Sequence, residues 1–162
     1  EARKKEGSTD NRAAGRRGEA VEQHLVGDLC QRCQGQEYQQ WQTTGHAKAW
    51  QTLVTPKKEA KPDCIPCHVL GYKQAGGFQT GDDAPRLANV QCESCHGMGT
   101  THESYPTSSK RITEATCKTC HTISNSPAFD FAIYEPHILH HPPQSMPPLP
   151  PNPAKMKMQG GH

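Results

Sequence analysis

The sequence predicts a small, mostly α-helical protein with extensive loops, and three observations support this fold class. Only 32% of the 162 residues are hydrophobic and 6% are aromatic, so side chains alone cannot form a core of ordinary size. Short stretches with helical periodicity alternate with turns rich in Gly and Pro. A pattern of two cysteines and a histidine recurs along the chain. We therefore expect a fold organised around groups that the recurring pattern holds.

The recurring pattern is Cys-x-x-Cys-His, the pattern of c-type haem attachment. Its two thiols bind the porphyrin covalently, and the adjacent imidazole reaches the iron. A single C-x-x-C is as often a zinc or redox motif, but three copies followed by His predict a multihaem cytochrome c with stacked haems. The attaching residues are Cys64, Cys67, Cys92, Cys95, Cys117 and Cys120, and the proximal iron ligands are His68, His96 and His121.

Composition and charge exclude two classes of partner. The formal net charge of +2 at pH 7 gives no basis for a nucleic-acid partner. No apolar run approaches the length of a transmembrane segment. The chain begins at Glu1 without a visible leader, and haem attachment takes place outside the bacterial cytoplasm. We therefore expect an exported protein, periplasmic or extracellular, whose signal peptide has been removed.

The chain divides into three predicted segments. Residues 1–20 are charged and small, and we expect a polar arm. Residues 21–141 contain the motifs and form the predicted cytochrome domain. Residues 142–162 are rich in Pro and predict a polyproline-like tail. Because such arms are seldom ordered alone, we expect them to lie against a partner in a larger protein assembly.

Histidines outside the motifs are candidates for the second axial position of each iron. They are His24, His46, His102, His137, His140, His141 and His162. This surplus favours irons with two histidine ligands, which are coordinatively full and suit electron transfer. His46 shares a predicted helix face with Trp50, one turn away, and we interpret it as a ligand rather than as a packing residue.

The order of these features resembles the family of tetrahaem cytochromes that accept electrons from hydroxylamine oxidoreductase. The resemblance lies within residues 30–141 and is carried by three stretches: WQTTGHAKAWQTL, NVQCESCHGMGTTH and CKTCHTISNSPAFDFAIYEPHILH. It implies closely packed haems on a mostly helical, loop-rich chain.

The resemblance also implies which histidine lies opposite each proximal ligand. It assigns His46 to the haem at Cys92–His96, His102 to a haem at Cys30 and Cys33, and His140 to the haem at Cys117–His121. The haem at Cys64–His68 is the one whose second ligand varies in the family, and we assign His24 to it.

The chain departs from the family at Gln34, which follows Cys30 and Cys33 where a histidine is expected. Three states of this pair are open. The thiols can hold a fourth haem with an unusual axial ligand, form a disulfide as is common in exported proteins, or remain free. Both cysteines and His102 are present, which favours the haem. The predicted cofactor is therefore haem c, in three copies or four.

We interpret the chain as an electron-transfer protein that relays electrons between redox protein partners, and not as an enzyme. Two alternatives remain. The chain can be a fixed subunit or protomer of a larger haem assembly or filament. It can also be a haem enzyme that acts on a small nitrogen or sulfur species at an open iron beside His68, although no catalytic Lys, Tyr or Arg constellation is evident there.

Overall fold

The computed structural model describes residues 23–99 and 112–151, which form short helices joined by turns and loops. Within these two ranges there is no β-strand, and β-type pairing is limited to an isolated antiparallel bridge between Val69 and Ala88. The predicted fold class, mostly α with extensive loops, is confirmed. The predicted arm at residues 1–20 lies outside the described residues, and so does the end of the predicted tail.

Seven short α-helices and four single turns of 3₁₀ helix make up the regular structure of the described residues. The α-helices are α1 (Gly27–Cys30), α2 (Gly35–Thr43), α3 (Gln51–Val54), α4 (Ala84–Leu87), α5 (Cys92–His96), α6 (Glu114–Lys118) and α7 (Phe131–Tyr134). The 3₁₀ turns are His46–Lys48, Ile65–Cys67, Gly81–Asp83 and Glu135–His137.

Helix α2 ends at Thr43, just before the stretch in which His46 and Trp50 are predicted to share a helix face. Thr44 is extended, with ψ 163°, and its hydroxyl donates to the Trp41 carbonyl at 2.7 Å. This side-chain bond satisfies a carbonyl at the helix end and favours termination. The chain then turns through Gly45 into the short 3₁₀ turn at His46, so His46 and Trp50 do not share one continuous helix.

A small apolar core lies between the first haem motif, the Gly-rich loop that follows it, and α4. Its buried members are Ile65, Val69, Leu70, Phe78 and Leu87. The loop folds back because the Phe78 amide donates to the Leu70 carbonyl at 3.0 Å, and the Leu70 amide donates to the Leu87 carbonyl at 2.7 Å. This core holds the motif at Cys64–His68 against the rest of the chain.

Gly71 begins this loop in a left-handed conformation, with φ +61°. The imidazole of His24 packs directly on its Cα, leaving no space for a Cβ atom. Glycine is therefore required here for both the turn and the close contact. Among the described residues, none of the helices has the length and apolar character needed to cross a membrane.

Candidate haem-binding site

Each full motif is formed within one helical turn. In the last motif, the amides of Cys120 and His121 donate to the Cys117 carbonyl at 3.1 and 2.9 Å. In the first, the His68 amide donates to the Ile65 carbonyl at 2.9 Å. A single turn keeps the two thiols and the imidazole close together, as attachment of one rigid macrocycle requires.

The turn at Cys30 has the same backbone hydrogen bonds as the last full motif. The amides of Cys33 and Gln34 donate to the Cys30 carbonyl at 3.2 and 2.8 Å. Gln34 therefore occupies the position of the motif histidine in space as well as in sequence. None of the eight cysteines forms a disulfide in the structure, Cys30 and Cys33 included.

The variable positions of two motifs anchor them to the protein interior. Ile65 belongs to the apolar core. Glu93, in the second motif, is 7% exposed and accepts hydrogen bonds from the amides of Leu25 and Gly99. Its other oxygen is 2.7 Å from Nδ1 of His24. The residues between the cysteines thus fix the orientation of the motif helix.

Residues 88–91, which lead into the second motif, bring two candidate ligands together. The Asn89 amide donates to the His68 carbonyl at 2.9 Å, and the Val90 amide donates to the His46 carbonyl at 3.2 Å. Asn89 has φ +76°, a conformation that Asn tolerates better than most residues. The backbone of this segment therefore sets the spacing between His46 and His68.

The same segment also binds the first two helices. Trp41 of α2 donates its indole N–H to the Val90 carbonyl at 2.8 Å. The buried Gln91 side chain accepts from the Gly27 amide of α1 at 2.8 Å. As a result, the turn that carries Cys30 is fixed relative to the second motif.

The predicted proximal ligand His68 has its ring orientation fixed by a hydrogen bond. Its Nδ1 lies 2.6 Å from the Ala49 carbonyl oxygen. A carbonyl can only accept, so Nδ1 carries the proton and Nε2 keeps its lone pair. Metal-bound histidines commonly show this arrangement, which fixes both tautomer and ring orientation.

Two pairs of imidazole rings have separations that suit one iron between them. The ring centres of His46 and His121 are 6.1 Å apart, and those of His96 and His140 are 5.9 Å apart. Two imidazoles on opposite faces of one iron have ring centres about 6 Å apart, because each nitrogen lies ~2 Å from the metal and ~1 Å from its ring centre. The donor set therefore fits haem iron with two histidine ligands.

These pairs differ from the assignment that the resemblance implies. His46 lies beside His121, the histidine of the last motif, and His140 lies beside His96, the histidine of the second. His102 lies outside the described residues, and its role stays a prediction.

Burial favours the neutral form of the imidazoles of His46 and His121. Burial, and next the charge of His121, lower the pKa of His46, and burial also lowers the pKa of His121. Neutral imidazole is the form that binds metal. His121 also stacks on Phe129, with ring centres 4.6 Å apart, and Tyr134 lies edge-on to it at 5.8 Å. This aromatic environment restricts the orientation of the His121 ring.

Thiols from different motifs approach one another. A hydrogen bond with Cys92 lowers the pKa of Cys30 to about 7 and raises that of Cys92. Burial, followed by a hydrogen bond with Cys120, raises the pKa of Cys67 to about 11. The first contact connects the cysteine pair at Cys30 and Cys33 to the second full motif. The second contact connects the first full motif to the last. The attachment sites therefore converge within one region.

His24 has both ring nitrogens engaged. Besides the Glu93 carboxylate at Nδ1, the Gln74 side-chain oxygen lies 3.2 Å from Nε2. Ligation of the Cys64 haem by His24 stays a prediction, and it requires release of one of these bonds. Sequence reasoning did not identify Glu93, Gln91 or the Ala49 carbonyl as parts of the site. A carboxylate between two motif cysteines was the available signal for Glu93.

Comparison with known proteins gives the following matches. Residues 29–97 match the family model described as cytochrome c554 and c-prime. Over 85 residues the chain is 40% identical to cytochrome c-554 of Nitrosomonas europaea, covering 43% of this chain and 36% of that protein. A solved structure, the reduced state of cytochrome c554 from Nitrosomonas europaea, has a TM-score of 0.47 and 27% identity, covering 63% of this chain and 66% of that chain.

The chain thus spans 36% of the length of the curated relative it matches. The resemblance that the motifs predicted is confirmed for the central part of the chain. A match to a c-type cytochrome together with the repeated attachment motif indicates haem c as the cofactor.

Glu93→Ala is expected to release the segment before α1 from the second motif. It leaves the partly buried amides of Leu25 and Gly99 without their acceptor, at about 0.5–1.5 kcal/mol for each hydrogen bond lost. Hydrogen exchange should become faster at both amides. Ser94→Ala changes an exposed neighbour in the same motif and should leave them protected. Equal protection in both variants would contradict the anchoring role of Glu93.

Proposed function

We propose that this chain is an electron-transfer cytochrome of the c554 kind, which relays electrons between redox protein partners through covalently attached haems. The observation that carries the proposal is the combination of three attachment turns with two imidazole pairs at iron-spanning separations. Haem iron, when bound, carries one electron by alternating between its ferric and ferrous states.

The proposed site residues follow from this combination. The cysteine pairs of the three full motifs attach the haems, and their histidines bind iron on the proximal side. His46 and His140 provide the opposite ligands, paired with His121 and His96. Two imidazoles fill the axial positions of an iron, which favours an electron carrier over an enzyme that must bind a substrate at the metal.

A fourth haem at Cys30 and Cys33 forms part of the proposal. The turn Cys30–Gln34 matches that of Cys117–His121, which supports attachment at these thiols. The thiol of Cys30 also contacts Cys92, so a haem held there lies beside the one attached to the second motif. Such neighbouring cofactors suit a relay.

Redox partners, assembly and location complete the proposal. Ile123 is 82% exposed two residues after the proximal ligand His121, and Leu139 is exposed beside His140. Exposed apolar side chains next to cofactor ligands support docking of a protein partner close to the haems. We propose that the protein works in the periplasm or outside the cell, because covalent haem attachment takes place outside the cytoplasm. We also propose that it works within a larger protein assembly.

Intact-mass measurement tests haem attachment. The protein, produced in a bacterium with haem-ligation machinery, should carry one haem mass increment for each full motif and a fourth for Cys30 and Cys33. Replacing both cysteines of one pair by Ser should remove one increment. A mass with three increments and a loss of two hydrogens would show that Cys30 and Cys33 form a disulfide and carry no fourth haem. A chain without any increment would contradict the proposed function.

Electron paramagnetic resonance tests the axial ligands. His46→Ala and His140→Ala should each convert one low-spin iron to high-spin, because each removes one of two imidazoles from an iron. The double variant should show two high-spin irons, since the two histidines belong to different pairs. His141→Ala changes an exposed neighbour of His140 and serves as the control. An unchanged spin count in both single variants would contradict the assignment.

A further inference from the structure

The Ala49 carbonyl, which orients His68, also accepts hydrogen bonds from the backbone amide of Thr52, at 3.2 Å, and from the Thr52 hydroxyl. Thr52 Oγ1 lies 2.6 Å from this carbonyl oxygen and 3.2 Å from Nδ1 of His68. The hydroxyl proton must point to the carbonyl, which has no proton to donate. The oxygen of Thr52 then presents a lone pair toward the Nδ1–H of His68. The carbonyl, the hydroxyl and the imidazole therefore form a triangle of mutually dependent bonds.

We propose that Thr52 is a positioning residue for His68 and sets the electron-donating strength of this ligand. The proposal rests on the proposed attachment of a haem at Cys64 and Cys67. The closer acceptor of the His68 proton is the Ala49 carbonyl, at 2.6 Å against 3.2 Å for the hydroxyl. Thr52 therefore acts mainly through that carbonyl, by sharing it.

Sharing weakens the acceptor. A carbonyl oxygen that already accepts from a hydroxyl has less electron density to offer an imidazole N–H. Outer hydrogen bonds of this kind tune the basicity of a metal ligand. Removing the Thr52 hydroxyl leaves the carbonyl to His68 and to the longer bond from the Thr52 amide, at 3.2 Å, which gives the imidazole more negative charge. A more basic ligand stabilises ferric iron, so the reduction potential becomes more negative.

The same stretch of chain contains a matched control. Thr55 Oγ1 donates to the Gln51 carbonyl at 3.0 Å, the same kind of bond that Thr52 makes with Ala49. Thr52 and Thr55 are both exposed. No hydrogen bond described for Thr55 involves a candidate iron ligand, so Thr55→Val reproduces the effect on the helix without the effect on His68.

Spectroelectrochemical redox titration of the haem-loaded protein tests the proposal. Thr52→Val should shift one haem transition to a more negative potential and leave the others in place. Thr52→Ser keeps the hydroxyl and should restore the wild-type value. Thr55→Val should change none of the transitions.

The outcomes separate this inference from the proposed function. An unchanged set of potentials in Thr52→Val, with every haem still attached by mass, would overturn the role of Thr52 alone. Equal shifts in Thr52→Val and Thr55→Val would also overturn it, because they would reflect the helix and not the ligand. Absence of a haem on the Cys64 and Cys67 peptide of the wild-type protein would overturn the proposed attachment and this inference together.

Discussion

The shortage of apolar side chains is the constraint on which the rest of the structure depends. The buried members of the apolar cluster around Phe78 and Leu87 all come from one stretch of the chain, between Ile65 and Leu87. In residues 112–151, which carry the last motif, every described residue is exposed or partly exposed. A segment without a buried side chain cannot offset its own ordering entropy by side-chain packing. On the proposed attachment, covalent haem would supply apolar surface to the segments that need it, at positions that the cysteines fix in the sequence.

Imidazole pairs connect parts of the chain that are far apart in sequence. His46 follows α2 and meets His121, whereas His96 meets His140 after α7. An iron bound between the two rings of a pair would therefore cross-link the two described ranges, residues 23–99 and residues 112–151. Hydrogen bonds of backbone groups fix the positions and orientations of the histidines. The Ala49 carbonyl orients His68, and residues 88–91 hold the backbones of His46 and His68 through two further hydrogen bonds.

The sequence predicted the chemistry of the site better than its geometry. The mostly helical, loop-rich fold followed from composition and from Gly and Pro spacing, and the attachment turns followed from the motif itself. The helix predicted to carry both His46 and Trp50 is not continuous, because α2 ends with a Thr44 side-chain bond that periodicity does not reveal and the chain then turns through Gly45. The ring pairs were not predictable, since which histidine meets which depends on how separate turns pack together. The roles of Glu93 and Thr52 depend on partners distant in sequence or on a shared backbone carbonyl, and neither leaves a pattern in one sequence.

Hydrogen exchange on a haem-free chain tests most directly the claim that haems replace a conventional core. The chain would carry Ser in place of all eight cysteines, Cys30 and Cys33 included, and its amide protection would be compared with that of the haem-loaded protein. We expect residues 112–151 to lose protection entirely, since they have no buried side chain of their own. We expect the region around Phe78 and Leu87 to keep part of its protection, because its apolar cluster is independent of the haems. Native protection of residues 112–151 in the haem-free chain would contradict the account.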